Sequence, residues 1–304
     1  MAQQEYGQSL PDTDRELKKL LDLTGRLSRM ATDDYYNPYR LFSWPDFLPE
    51  DVPWMSVDLL SVFGTDLVGE LDDQQLARLA KWESINFYSV NVHGIRELLT
   101  EVTRRLHVPG FEEFSDFLHH FIGEENEHAW FFAEFCRRYG GRVYQLPGLK
   151  TMQSIDRETE NFLVFAKILV FEEIVDYFNV HMAEDTSLPE TVRMINRVHH
   201  KDESRHIAFG RQLVELLYHK LRRTATKEQV AFLEQYLKRY ITWCLQSLYS
   251  AAAYRDAGLA NPIQTRRVLI ESDARRQVEQ RYLKRPLSFL TRTGIFHDDQ
   301  LISV

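Results

Sequence analysis

Two short runs set the terms for this chain. Glu124-Glu125-Asn126-Glu127-His128 and Asp202-Glu203-Ser204-Arg205-His206 each place a carboxylate and an imidazole three residues apart among apolar neighbours. On a helix that spacing puts both side chains on one face, a turn apart, so each Glu-x-x-His pair can offer an oxygen and a nitrogen to one metal ion. Both runs open on an acid, Glu124 or Asp202, and both are followed by a phenylalanine, Phe131 or Phe209. One such pair on a solvated helix is usually an accident. Two pairs, each with a glutamate 28 to 31 positions upstream, form the donor inventory of a carboxylate-bridged two-metal site in a helix bundle. Carboxylates set among Phe, Trp and Ile are too costly to bury without a metal, a proton or a partner.

The rest of the chain supplies helices to carry them. At 304 residues with 44% hydrophobic and 27% charged residues, it reads as an ordinary globular sequence, long enough for a substantial core. A helical period runs through Leu17, Leu20, Leu21 and Leu27, then breaks over Tyr35 to Trp54, where Pro38, Pro45, Pro49 and Pro53 predict an extended aromatic segment wrapping the bundle. Short helices are expected near Ser56–Phe63. Long ones are predicted over Gln74–Leu106, Phe111–Tyr139, Arg157–Met182 and about 187–222, with Gly140-Gly141 as a stop signal and a loop through Pro147-Gly148. Two further helices, about 226–256 and 263–284, and a polar tail with Pro286 complete an all-α reading of one helical domain. Its parts are a wrapping segment 1–73, whose first residues form a loose leader, a metal-binding four-helix core about 74–222 and C-terminal helices 226–284.

Several function classes drop out. A net charge of -8 argues against a nucleic-acid surface, and Cys136 and Cys244 are too few for a Cys-ligated zinc or iron–sulfur site. No apolar run approaches a membrane span, and Met1 to Leu10 lacks the apolar stretch of a signal peptide, so a cytoplasmic protein is expected. No Gly-rich flavin or nicotinamide fingerprint is present.

Within the core, Glu125, His128, Glu203 and His206 are the primary candidates. The third helix offers Glu172 or Glu173, with Glu172 preferred because Phe165, Ile168, Leu169 and Val175 share its side. The first offers Glu97, 28 positions before Glu125, with Glu101 as its rival. His199, four before Glu203 where the other copy has Phe121, adds a third imidazole and makes one metal richer in nitrogen. Glu124 and Asp202 read equally as acids that fix a ligating imidazole or as solvated partners of Lys201 and Arg205. His93 reads first as a buried, hydrogen-bonded histidine. Phe121, Trp130, Phe131, Phe165, Tyr177 and Phe209 are candidates for the wall.

Over about residues 80–215 this pattern resembles the ferritin-like diiron N-oxygenases of the 4-aminobenzoate N-oxygenase type, most specifically in His199-x-x-x-Glu203-x-x-His206. The resemblance implies seven metal ligands, Glu97, Glu125, His128, Glu172, His199, Glu203 and His206, holding two iron ions, with Mn/Fe as the variant. No flanking motif marks the ligand on the first helix. The resemblance further implies a diiron oxygenase that uses O₂ on a small amine or aromatic amine. Its partners would be that substrate and an external electron donor of the ferredoxin or reductase type, with a homodimer as the assembly to test. A ferritin-like radical-generating or metal-storage protein is the alternative, and a metal-free helical interaction module the third reading.

Overall fold

The computed structural model describes residues 12–146 and 155–301; residues 1–11, and with them most of the expected leader, lie outside the described residues, as does the Pro147-Gly148 loop. The described residues form helices and connections without a strand. In chain order the helices are α1 (Thr13–Asp33), α2 (Pro38–Leu41), α3 (Asp73–Thr103), α4 (Ser115–Gly140), α5 (Arg157–Glu184), α6 (Glu190–Arg222), α7 (Lys227–Leu248), α8 (Ala251–Asp256), α9 (Pro262–Glu271) and α10 (Asp273–Arg292).

The helix ends follow local chemistry. Asp12 caps α1 by accepting from the amides of Asp14 and Arg15, and Asp72 with Gln75 forms a reciprocal capping box on α3. Gly141, at φ 67°, closes α4 in the left-handed conformation that glycine adopts without strain. Three expectations shift. Ser56–Phe63 holds only a single 3₁₀ turn, Val57–Leu59. The helix expected over 226–256 breaks at Tyr249, and the one expected over 263–284 breaks at Ser272, whose side chain caps α10. Pro286, expected in a polar tail, lies inside α10, which runs on because Phe289 and Leu290 beyond it are buried.

Helices α3, α4, α5 and α6 form the central bundle. Contacts of Ile85 with Gly140, Ser89 with Cys136 and Tyr88 with Phe132 run α3 antiparallel to α4. Those of Phe117 with Phe209, His128 with Asp202 and Phe132 with His199 run α4 antiparallel to α6. Stacking of Phe87 on Phe178, and the close approach of Gly94 to Phe171, run α3 antiparallel to α5. Gly94 makes room for that approach, since a Cβ there would lie 2.5 Å from the Phe171 ring and force it to shift. The segment after α1 lays Tyr39, Phe42 and Trp44 on Trp130 and Phe131 of α4, but it is not extended throughout: Pro38, expected to interrupt any helix, instead opens the single turn α2, where its missing amide costs nothing. At the start of α3, buried Arg275 of α10 donates to the carbonyls of Leu60 and Phe63 and to the hydroxyls of Tyr249 and Tyr282, tying the C-terminal helices to the chain before α3. Cys136 and Cys244 are both buried and unpaired with each other.

Candidate metal centre

Midway along the bundle, six side chains from α4, α5 and α6 converge. Their donor atoms fall into two groups, each within 4.8 Å internally: His128, His199 and Glu203, and Glu125, Glu172, Glu203 and His206. Glu203 belongs to both. Glu125 also spans them, its Oε1 lying 3.0 Å from Nδ1 of His206 and 3.6 Å from Nδ1 of His128.

All six residues are essentially removed from solvent. Yet among the described residues Glu125 Oε1, both carboxylate oxygens of Glu172, Glu203 Oε2 and the Nδ1 atoms of His128 and His206 have no hydrogen-bond partner. The close approaches among them are not aligned as hydrogen bonds. Native interiors rarely tolerate buried polar atoms without partners, and an uncompensated buried charge costs on the order of several kcal/mol. Oxygen and imidazole donors clustered this way suit iron or manganese, so the residues fit a dinuclear metal site.

The imidazoles are aimed from behind. Nε2 of His128 is hydrogen-bonded to Asp202 at 3.1 Å, and Nε2 of His206 to Glu124 at 2.8 Å, so both rings turn Nδ1 toward the cluster. The acid preceding each motif thus serves the histidine of the other motif. Buried Arg205 clamps Glu124 and Asp202 together, and the Tyr36 hydroxyl donates to Asp202 at 2.9 Å. His199 faces the opposite way, with Nδ1 hydrogen-bonded to the Asn179 amide at 2.6 Å and Nε2 2.8 Å from Glu203.

Electrostatics match this layout. Burial drives the Glu172 carboxyl well above its usual range, with Glu203 adding to the effect. Burial pushes Glu203 the same way, but His199 and His206 outweigh it and hold that carboxyl well below. Burial disfavours a charged His128, yet Asp202 and Glu125 lift it to about 10. Asp202 falls to about 2, burial being overcome by His128 and Arg205. The carboxylates therefore demand positive charge, which protons on the histidines or bound cations can supply.

Five expected placements converge with Glu172: Glu125, His128, His199, Glu203 and His206 stand with it, while Glu173 turns away to Arg211. Glu97 does not join them. Its side chain is 76% exposed and pairs with Arg96, because helical phase turns position 97 away from the bundle axis. Glu101, the rival, pairs with Arg104 and Arg105. His93 meets the Tyr144 carbonyl at 2.8 Å, which is the plain reading. Of the wall candidates, Phe121 packs against His206 and Phe131 against His128; Trp130 faces the wrapping segment and Tyr177 faces Tyr282. Phe132, which sequence reasoning missed, packs against His199. Asn179 and Tyr36 were also missed: neither lies in a motif, and Tyr36 reaches Asp202 across 166 positions.

The sequence model of the p-aminobenzoate N-oxygenase AurF family matches residues 20–294, nearly the whole chain. The chain belongs to this family. Membership makes it a diiron-class oxygenase, hence an oxidoreductase with a dinuclear metal centre. No curated protein matches it. Among solved structures, the fold is similar to that of a point mutant of an R2-like ligand-binding oxidase with an aerobically reconstituted Mn/Fe cofactor. The TM-score is 0.52 at 13% identity, over 91% of this chain and 93% of that one. That likeness establishes the ferritin-like architecture. Among the described residues no helix is long and apolar enough to cross a membrane.

Proposed function

We propose that Glu125, His128, Glu172, His199, Glu203 and His206 hold two iron ions, with Mn/Fe as the variant, and that the enzyme uses them with O₂ to oxidise a small amine, most simply an aromatic amine. The observation that carries this reading is the set of buried donor atoms without partners, drawn from three helices to one point. Bound there, the metal pair supplies reduction of O₂ and transfer of oxygen to the substrate. The chain's own residues do the rest. Asp202, Glu124 and Asn179 fix the three imidazole rings, and Phe121, Phe131 and Phe132 keep water from them. Glu203 and Glu125, whose oxygens lie near the imidazoles of both His128 and His206, would help hold both ions. Electrons come from an external donor, since the chain carries no flavin or nicotinamide fingerprint. His199, beside His128, favours the oxygenase over the radical-generating or storage alternative, which usually lacks a third imidazole.

The test is anaerobic loading with Fe(II), metal analysis, then exposure to O₂ and reductant with 4-aminobenzoate. Two irons per chain and a product heavier by oxygen at the amine nitrogen are expected. Fewer than about one iron per chain would overturn the metal centre, and intact metal with no N-oxidation of any arylamine tested would overturn the substrate class.

A further inference from the structure

With Glu97 on the surface, α3 places no carboxylate or imidazole in the cluster, yet its inward stripe passes alongside it. Tyr88 marks the level. Its hydroxyl accepts from Nδ2 of Asn196 at 2.7 Å, and its ring stacks on Phe132. Because α3 runs antiparallel to α4 and α4 antiparallel to α6, one turn forward from Tyr88 corresponds to one turn back from Phe132 on α4, which is His128. On α6 it corresponds to one turn forward from Asn196, which is His199. The α3 residue at that level is Asn91.

Its direction agrees with its height. Successive helical residues turn by about 100°. Tyr88 points toward α4 and α6, while Phe87 and Gly94 point toward α5, where they meet Phe178 and Phe171. Asn91 falls between those two directions, facing the bundle axis. It is fully buried. Its Nδ2 donates to the Phe87 carbonyl one turn back, while Oδ1 has no hydrogen-bond partner among the described residues.

Resting on the two-metal reading above, we infer that the amide oxygen of Asn91 is the α3 donor to the metal position formed by His128, His199 and Glu203. That position then has two imidazoles, a neutral amide and only carboxylates that it shares, Glu203 and Glu125, whereas the other has Glu172 as a carboxylate of its own. A divalent ion is held more tightly by a carboxylate than by a neutral amide at the same place. The two positions therefore fill in sequence, the Glu172 position first.

Anaerobic titration with Co(II), followed by its visible absorption and by calorimetry, tests this without turnover. Wild-type protein is expected to bind two ions in separate steps, and Glu172→Gln, which alters only the tighter position, identifies the steps. Asn91→Leu should weaken the looser step by at least about tenfold, with the tighter step within twofold of wild type. Asn91→Asp, which keeps the volume and supplies a carboxylate, should tighten the looser step and shift its absorption; this second variant keeps the test decisive if the leucine variant does not fold. Unchanged affinities and absorption in the aspartate variant would overturn the role of Asn91 while leaving the dinuclear centre in place. A wild-type protein that binds no Co(II) would instead overturn the centre itself and this inference with it.

Discussion

The Glu-x-x-His turns of α4 and α6 are nearly the same in sequence and differ in their surroundings. On α4 the turn before the motif carries Phe121, whose ring packs on His206; on α6 the corresponding turn carries His199, which joins the donors. The acids differ too. Among the described residues Asp202 is held by His128, Arg205 and Tyr36, whereas Glu124 is held by His206 and Arg205. Each acid serves the other motif's histidine, so neither helix is a self-contained half-site. A local repeat supplies donors in pairs, and the antiparallel packing of α4 on α6 decides which pairs work together. The same packing makes one donor group rich in imidazole and the other rich in carboxylate.

The strongest way to break this comparison is at the shared residue. Glu203 belongs to both donor groups, so Glu203→Gln is expected to abolish metal binding at both, as read by metal analysis after anaerobic loading. Retention of one tightly bound ion would show that the positions are independent. The crossed acids give the next effect. Asp202→Asn should weaken the ion beside His128, and Glu124→Gln the ion beside His206, each by roughly 10- to 100-fold in metal titrations. If each substitution loosened the ion on its own helix instead, the crossing would be wrong. The smallest effect sharpens the role of α3. Glu97→Gln should leave metal content and affinity within about twofold of wild type, because that carboxylate is solvated and its pair with Arg96 is exposed. Loss of an ion in that variant would return α3's carboxylate to the centre.

Much of this was legible before the fold was known. The spacing of Glu125 with His128, and of His199 with Glu203 and His206, is a property of one helix each, so periodicity alone aligns their side chains. Glu172 could be preferred over Glu173 because its neighbours on α5 are apolar, and Glu173 is indeed turned to Arg211. Glu97 stands exposed, outside the cluster, for the opposite reason. On α3 no companion histidine fixes the phase, and matching loop-to-loop spacing cannot replace it. Asn91 and Asn179 carry amides that no metal motif flags, and Phe132 looks like any core aromatic.

By itself, then, the sequence determined an all-helical chain and the clustering side chains of α4, α5 and α6, since each follows from short-range periodicity and from the cost of burying unpaired charge. Only the tertiary structure decided the crossed pairing of Glu124 and Asp202 with the histidines, the reach of Tyr36 to Asp202 and the exposed placement of Glu97. Those depend on the height and rotation of helices packed against one another, and no single helix encodes them.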